Sequence, residues 1–269
     1  MILILTTAAS TSAVSADTTE GDGFLTVYRT SWAAGIDPRL QLQESTVYAI
    51  SVLPLAEFGG VALRTAMSRS DDFSTIANGA PRVEVAFTPV ARFAVGGDYE
   101  VRWSTMIPAG YPLDGKQSEI ISQIHQSDSN IGSPPFALML TGNHYEVDVR
   151  GDVKVSPAKI FKFGAPSSDE GHAVRWMLRY RVDASGATAV TDLYKDGVLV
   201  VHAGAVPNAY PGDRNGYLKI GIYKWWWKTR PSDVDQRFMY YGDVEIRARR
   251  GTVSTAVPAT RAYTKEISP

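Results

Sequence analysis

Three short stretches set functional side chains two residues apart. In R-V-E, Arg82 and Glu84 flank Val83; in Q-I-H, Gln123 and His125 flank Ile124; in Y-L-K-I-G-I-Y, Tyr217, Lys219, Gly221 and Tyr223 alternate with Leu218, Ile220 and Ile222. Strand side chains alternate between two faces, so residues two apart share a face at about 6.5 to 7 Å. That spacing suits adjacent contacts to one sugar ring. Together the three stretches offer a guanidinium, an ammonium, an amide, an imidazole and a phenol, a set able to neutralise an anion and move a proton beside it. Taken singly, each residue has an ordinary structural reading. An Arg82/Glu84 surface pair contributes little to stability, tyrosine is favoured in strands, and His125 is one of four histidines with His144, His172 and His202. The coincidence of all three stretches is what points to a site.

For these residues to meet, the stretches must be neighbouring strands, and the rest of the chain is patterned to provide them. Period-two alternation bounded by turn residues predicts strands at 82–87, 99–107, 118–125, 136–140, 144–150, 174–183, 188–194, 198–203, 217–223 and 239–248. Asp196-Gly197 predicts a tight hairpin between two of them, because both residues tolerate positive φ. No long helical pattern is present. Ten or more strands with short links predict an all-β fold: two antiparallel sheets stacked as a sandwich or jelly roll, with a concave groove on one of them. On the groove strand, Ile120, Ser122 and Ile124 are expected to face away from Gln123 and His125. Gly221 is expected to leave room for the ligand.

A chain of 269 residues, 44% hydrophobic and 20% charged, fits one globular domain. Residues 23–250 are expected to form it, with small, polar tails at 1–22 and 251–269. The formal net charge of −1 gives no basic field for nucleic acid. With no cysteine there is no disulfide, thiolate metal site or thiol nucleophile. Neither a nucleotide-cofactor motif nor a calcium-loop spacing occurs, so no metal or cofactor is expected. No run reaches the roughly 20 apolar residues of a membrane span. The N-terminal A-V-S-A, ending at Ala16, reads as a signal-peptidase site, so secretion is expected; a monomer is expected as well.

The ordered blocks R-V-E, Q-I-H and Y-L-K-I-G-I-Y resemble those of jelly-roll polysaccharide lyases of the alginate lyase type. The surrounding Y-E-V-R-W-S-T-M-I-P, E-I-I-S-Q-I-H-Q and S-P-P-F-A-L-M-L are more similar to the heparin lyase I-like and glucuronan lyase-like branch. The resemblance runs from about residue 60 to 248. It implies a concanavalin-like jelly roll acting on an anionic, uronate-bearing polysaccharide by β-elimination. His125 and Tyr223 fall at the catalytic positions, Arg82 and Gln123 at the carboxylate-neutralising ones, Lys219 and Tyr217 on the substrate face, and Glu84 where it would orient Arg82. Trp225 and Trp226 are candidate subsite aromatics. Val83 departs from the Ser or Thr of the alginate enzymes, so the sugar is not specified.

Elimination removes the C5 proton of a uronate and expels the oxygen at C4. Donors on the carboxylate would disperse the developing enolate charge. A base must reach the proton and an acid the leaving oxygen. Two assignments remain: His125 as base with Tyr223 as acid, or Tyr223 in both roles, its phenolate favoured by Lys219 and Arg82. A glycoside hydrolase needs two carboxylates; Glu146 and Asp148 share a strand face, but Arg150 follows where a third carboxylate would be wanted. A carbohydrate-binding module could use Trp225 to Trp227 but does not require His125, Gln123 and Tyr223 together. Loops 126–135 and 204–216 are expected to choose the polymer.

Overall fold

The computed structural model describes residues 23–127, 132–152 and 158–252. The expected signal segment and most of the C-terminal tail lie outside the described residues. Among those described there are sixteen strands, β1 Phe24–Arg29, β2 Gln41–Gln43, β3 Ile50–Leu55, β4 Gly60–Ser68, β5 Arg82–Ala86, β6 Asp98–Met106, β7 Glu119–His125, β8 Phe136–Thr141, β9 His144–Val149, β10 Lys159–Phe163, β11 Val174–Arg181, β12 Val190–Lys195, β13 Val198–Gly204, β14 Tyr217–Tyr223, β15 Gln236–Tyr241 and β16 Glu245–Arg249. One sheet of seven strands runs β10-β9-β8-β7-β14-β5-β2. The other, of nine, runs β13-β12-β11-β6-β15-β4-β3, with β16 against β6 and β1 against β16. The three stretches with functional side chains are therefore the adjacent strands β7, β14 and β5.

Alternation explains the layering. Val83 and Val85 of β5, Ile124 of β7, Leu138 of β8, Val147 of β9 and Leu218, Ile220 and Ile222 of β14 point inward to meet Val101 and Trp103 of β6, Trp176 and Leu178 of β11, and Met239 and Tyr241 of β15. Burying each such side chain stabilises by about 1.5 to 3 kcal/mol. The sheets thus share one core, a jelly-roll sandwich. At the predicted hairpin, Asp196 and Gly197 have φ of 49° and 84°, and Lys195 pairs with Val198.

Besides β1, β2, β3, β4 and β10, which lie outside the expected strands, two features depart from the sequence reading. The strand expected over 239–248 is two strands. β6 gives one stretch of its edge to β15, pairing Thr105 with Tyr241, and another to β16, pairing Arg102 with Glu245. The break between them is held by Asp243, which accepts hydrogen bonds from the Thr30 hydroxyl and the Trp32 amide. Second, an ionic knot sits between the sheets. Glu119 of β7 accepts from Nε and Nη2 of Arg237 on β15 and from the Tyr111 hydroxyl, and the fully buried Lys224 lies 2.7 Å from Asp114. Burial pulls the Lys224 ammonium below its ordinary value, with Glu119 and Asp114 opposing.

Candidate active site

The outer face of the seven-stranded sheet carries a cleft of about 720 Å³ lined from β9 to β2 by residues including Asp148, Ala137, Ile120, His125, Tyr217, Lys219, Tyr223, Arg82 and Gln43. Ladder pairing places His125 beside Tyr217, Gln123 beside Lys219, and Arg82 beside Tyr223. Regular pairing would not put Tyr223 where it is. The β7 register slips between Ile120 and Ser122 against β8, and the β14 register slips between Ile220 and Tyr223 against β7. A bulge of this kind re-aims the side chains beyond it.

The bulge overturns one expectation. Ile120 does not face the core with Ser122 and Ile124; it pairs with Tyr223 and lines the cleft, in a small apolar cluster with Ala137, Met139, Tyr223 and Trp225. Ile121 takes the core position instead, and Glu119 reaches inward to Arg237. Gly221 is also reassigned. Its φ is 128°, and an added Cβ would lie 2.2 Å from the Val83 carbonyl oxygen and 2.6 Å from Glu84 Cα. The glycine makes room for the neighbouring strand, not for a ligand. Gly221→Ala is expected to cost at least about 1 to 3 kcal/mol, the scale of such backbone strain, and to lower activity by pushing β14 off β5. An alanine variant with unchanged melting temperature and turnover would contradict this.

Beneath the cleft lies a buried polar network. Glu84 accepts from the Gln123 amide nitrogen, from Lys219 Nζ at 3.3 Å and from Arg82 at 3.5 Å. Lys219 also donates to Gln43 at 2.9 Å, and Arg82 to Asn78 at 2.7 Å. The Arg82 guanidinium stacks 4.0 Å from the centre of the Tyr223 ring. Arg82 and Lys219 reach the cleft wall, whereas Gln123 and Glu84 do not line it. Losing Glu84 would leave two cations buried without their shared anion, an arrangement that costs several kcal/mol.

The two candidate proton carriers differ in state. His125 Nδ1 lies 2.7 Å from the Gln126 carbonyl oxygen. A carbonyl only accepts, so Nδ1 carries the hydrogen and Nε2 holds a lone pair. Burial, then Lys219, push the imidazolium below its ordinary pKa, against the pull of the Gln126 carbonyl. Tyr223 goes the other way: burial raises its phenol, and Arg82 and Asn78 offset only part of the rise. The lowered phenol pKa that the assignment of both roles to Tyr223 relies on is not found, because burial outweighs Arg82. Both shifts favour the uncharged forms, a neutral imidazole at His125 and a protonated phenol at Tyr223.

The structure brings His125, Tyr217, Lys219, Arg82, Tyr223, Trp225 and Trp226 to one cleft, with Glu84 and Gln123 directly under it. Trp227 is separate: fully buried, it donates to the Val234 carbonyl at 2.9 Å. The carboxylates of the hydrolase alternative are engaged in ion pairs, Glu146 with Lys162 and His144, Asp148 with Arg150. Sequence reasoning missed Asn78 and Gln43. Asn78 stands in the N-G turn before β5, and Q-L-Q at 41–43 alternates as an edge strand should. Loop residues 128–131 lie outside the described residues.

A jelly roll whose uncovered sheet face carries an imidazole, a phenol and cations beside tryptophans has the architecture of a carbohydrate-active enzyme. The chain belongs to the polysaccharide lyase family, whose model matches residues 41–245. Among solved structures it is similar to an endo-β-1,4-glucuronan lyase from the fungus Trichoderma reesei, at 15% identity over 77% of this chain and 89% of that one, with a TM-score of 0.62. It is also similar to alginate lyase A1-II′, a member of polysaccharide lyase family 7, at 15% identity over 78% and 93%, with a TM-score of 0.55. At these identities the likeness is one of fold. No curated protein sequence matches the chain.

Proposed function

We propose that this lyase cleaves a uronate-bearing polysaccharide within the chain by β-elimination, with His125 as base and Tyr223 as acid. The carrying observation is that the two rings line one cleft, His125 with Nδ1 engaged by the Gln126 carbonyl so that Nε2 is left to accept, and Tyr223 in a buried setting that favours its protonated hydroxyl. They stand on rungs five β7 residues apart, opposite Tyr217 and Ile120. They therefore approach a bound sugar from opposite ends, which favours separate base and acid over Tyr223 alone. The C5 proton passes to His125 Nε2, the C5–H electrons form the C4=C5 double bond, the C4–O bond breaks, and the leaving oxygen takes the Tyr223 proton. The product has a 4,5-unsaturated non-reducing end.

Arg82 and Lys219 supply positive field for the uronate carboxylate, and Gln123 acts as a positioning residue that fixes Glu84 between them. Tyr217 and Trp225 offer ring faces to the sugar. A cleft crossing six strands accommodates a polymer segment, which supports endolytic attack, and the A-V-S-A segment supports export. Incubation with glucuronan, alginate and alternating uronate polymers, read by the ultraviolet absorbance of the unsaturated product, tests the reading.

The pH profile has a predicted sign. The base works when neutral, and its pKa is lowered, so kcat/KM rises through an acidic limb below the ordinary histidine range. The acid works when protonated, and its pKa is raised, so the alkaline limb lies above the ordinary tyrosine range. A broad plateau between them is expected. A profile rising only in the tyrosine range would instead assign the base to a Tyr223 phenolate.

A further inference from the structure

The rungs of the sheet continue past the proton carriers onto β8, β9 and β10, and their chemistry changes there. One rung runs Lys219, Gln123, Ala137, Asp148, Ile160; the next runs Arg82, Tyr223, Ile120, Met139, Glu146, Lys162. Ile120, Ala137 and Met139 with Trp225 make an apolar floor beside the site, and Ile160 on β10 is 54% exposed. β9 lies two strand spacings from β7, about 9.5 Å, so this floor lies under the sugars next to the reacting one.

The charges on this side are already compensated. Arg150 pairs with Asp148, and Lys162 with Glu146, His144 also lying 3.6 Å from Glu146. Among the described residues this flank holds no surplus cation for a second carboxylate. Asp148 and Arg150 both line the cleft. Oδ1 of Asp148 and Nε of Arg150 have no hydrogen-bond partner among the described residues. A buried polar atom left unpaired is costly, so such atoms find partners in a ligand or in water. A carboxylate would need two donors, whereas this pair presents one acceptor and one donor, the complement of sugar hydroxyls. The apolar floor suits the C–H face of a pyranose.

We propose that the β8–β9 flank of the cleft is a subsite for a neutral sugar, held by Asp148 and Arg150 over Ile120, Ala137 and Met139. The preferred substrate is then a heteropolysaccharide in which an uncharged sugar neighbours the cleaved uronate, not a homopolymer of uronate. The proposal rests on the lyase reading for the position of the uronate, and binding separates the two. Tyr223→Phe protein, silenced for turnover, is titrated with three tetrasaccharides: glucuronate alternating with a neutral hexose, glucuronate alternating with an N-acetylhexosamine, and glucuronate alone.

At least one mixed ligand should bind about fivefold tighter or more than the homouronate, the low end of what leaving a buried polar group unpaired costs. Asp148→Asn, near-isosteric, should bring the ratio to within about twofold, and Arg150→Gln, checked for folding by thermal melt, should do the same. A homouronate bound equally or more tightly than both mixed ligands overturns the proposal, as does a mixed-ligand preference that survives both substitutions. Absence of unsaturated product from the wild-type protein on every polymer would defeat the lyase reading alone, while the measured order of affinities would still decide the neutral-sugar subsite.

Discussion

Tyr223→Phe is expected to reduce formation of unsaturated product by roughly 100- to 10,000-fold, the usual contribution of a positioned general acid. The ring remains, so its place against Arg82, at 4.0 Å, and its contact with Trp225, at 5.8 Å between ring centres, should persist. Melting temperature and polymer binding should therefore be nearly unchanged, while kcat falls and KM moves little. His125→Gln should lower kcat on the same scale, because a glutamine side chain cannot take the C5 proton. If Tyr223 served as both base and acid, the His125 variant would keep most of its turnover. Full activity in Tyr223→Phe would remove the phenol from the chemistry altogether.

Arg237→Ala is expected to destabilise the fold by about 3 to 5 kcal/mol, the cost of stranding a buried charge. Arg237 and Glu119 are both about 1% exposed and join β15 to β7 across the sandwich. Its removal leaves Glu119 with the Tyr111 hydroxyl at 2.9 Å and with Lys224, 4.0 Å away. At about 2 to 4 °C per kcal/mol for a domain of this size, the melting temperature should fall by more than 6 °C. The loss should reach the site, since Glu119 and Ile120 flank the bulge that turns Tyr223 toward Arg82. A variant melting within a degree or two of the wild type would show that the knot adds little.

The strands that build the site were legible because their alternation is clean: R-V-E-V-A, E-I-I-S-Q-I-H and Y-L-K-I-G-I-Y each read as strands, and all three pair as neighbours. What alternation cannot show is a register slip. Period two assumes one residue per rung, so the extra residue at Ile121 reversed the expected face of Ile120 and hid the inward turn of Glu119. β3 was missed because Pro54 interrupts its pattern; as the last strand of its sheet it tolerates a residue without an amide hydrogen. The division of β15 from β16 depends on Asp243 capping groups more than 200 positions away in sequence. Protonation states were likewise out of reach. The cations near Tyr223 were visible in the sequence, but the burial that outweighs them belongs to the folded sheet.

The most direct test of the central claim is mass spectrometry of the oligosaccharides released from a uronate polymer in water enriched in heavy oxygen. Elimination predicts fragments lighter by one water than their saturated counterparts, absorbing in the ultraviolet and carrying no oxygen from solvent. Saturated fragments that have gained a heavy oxygen at the new end would mean hydrolysis and contradict the account.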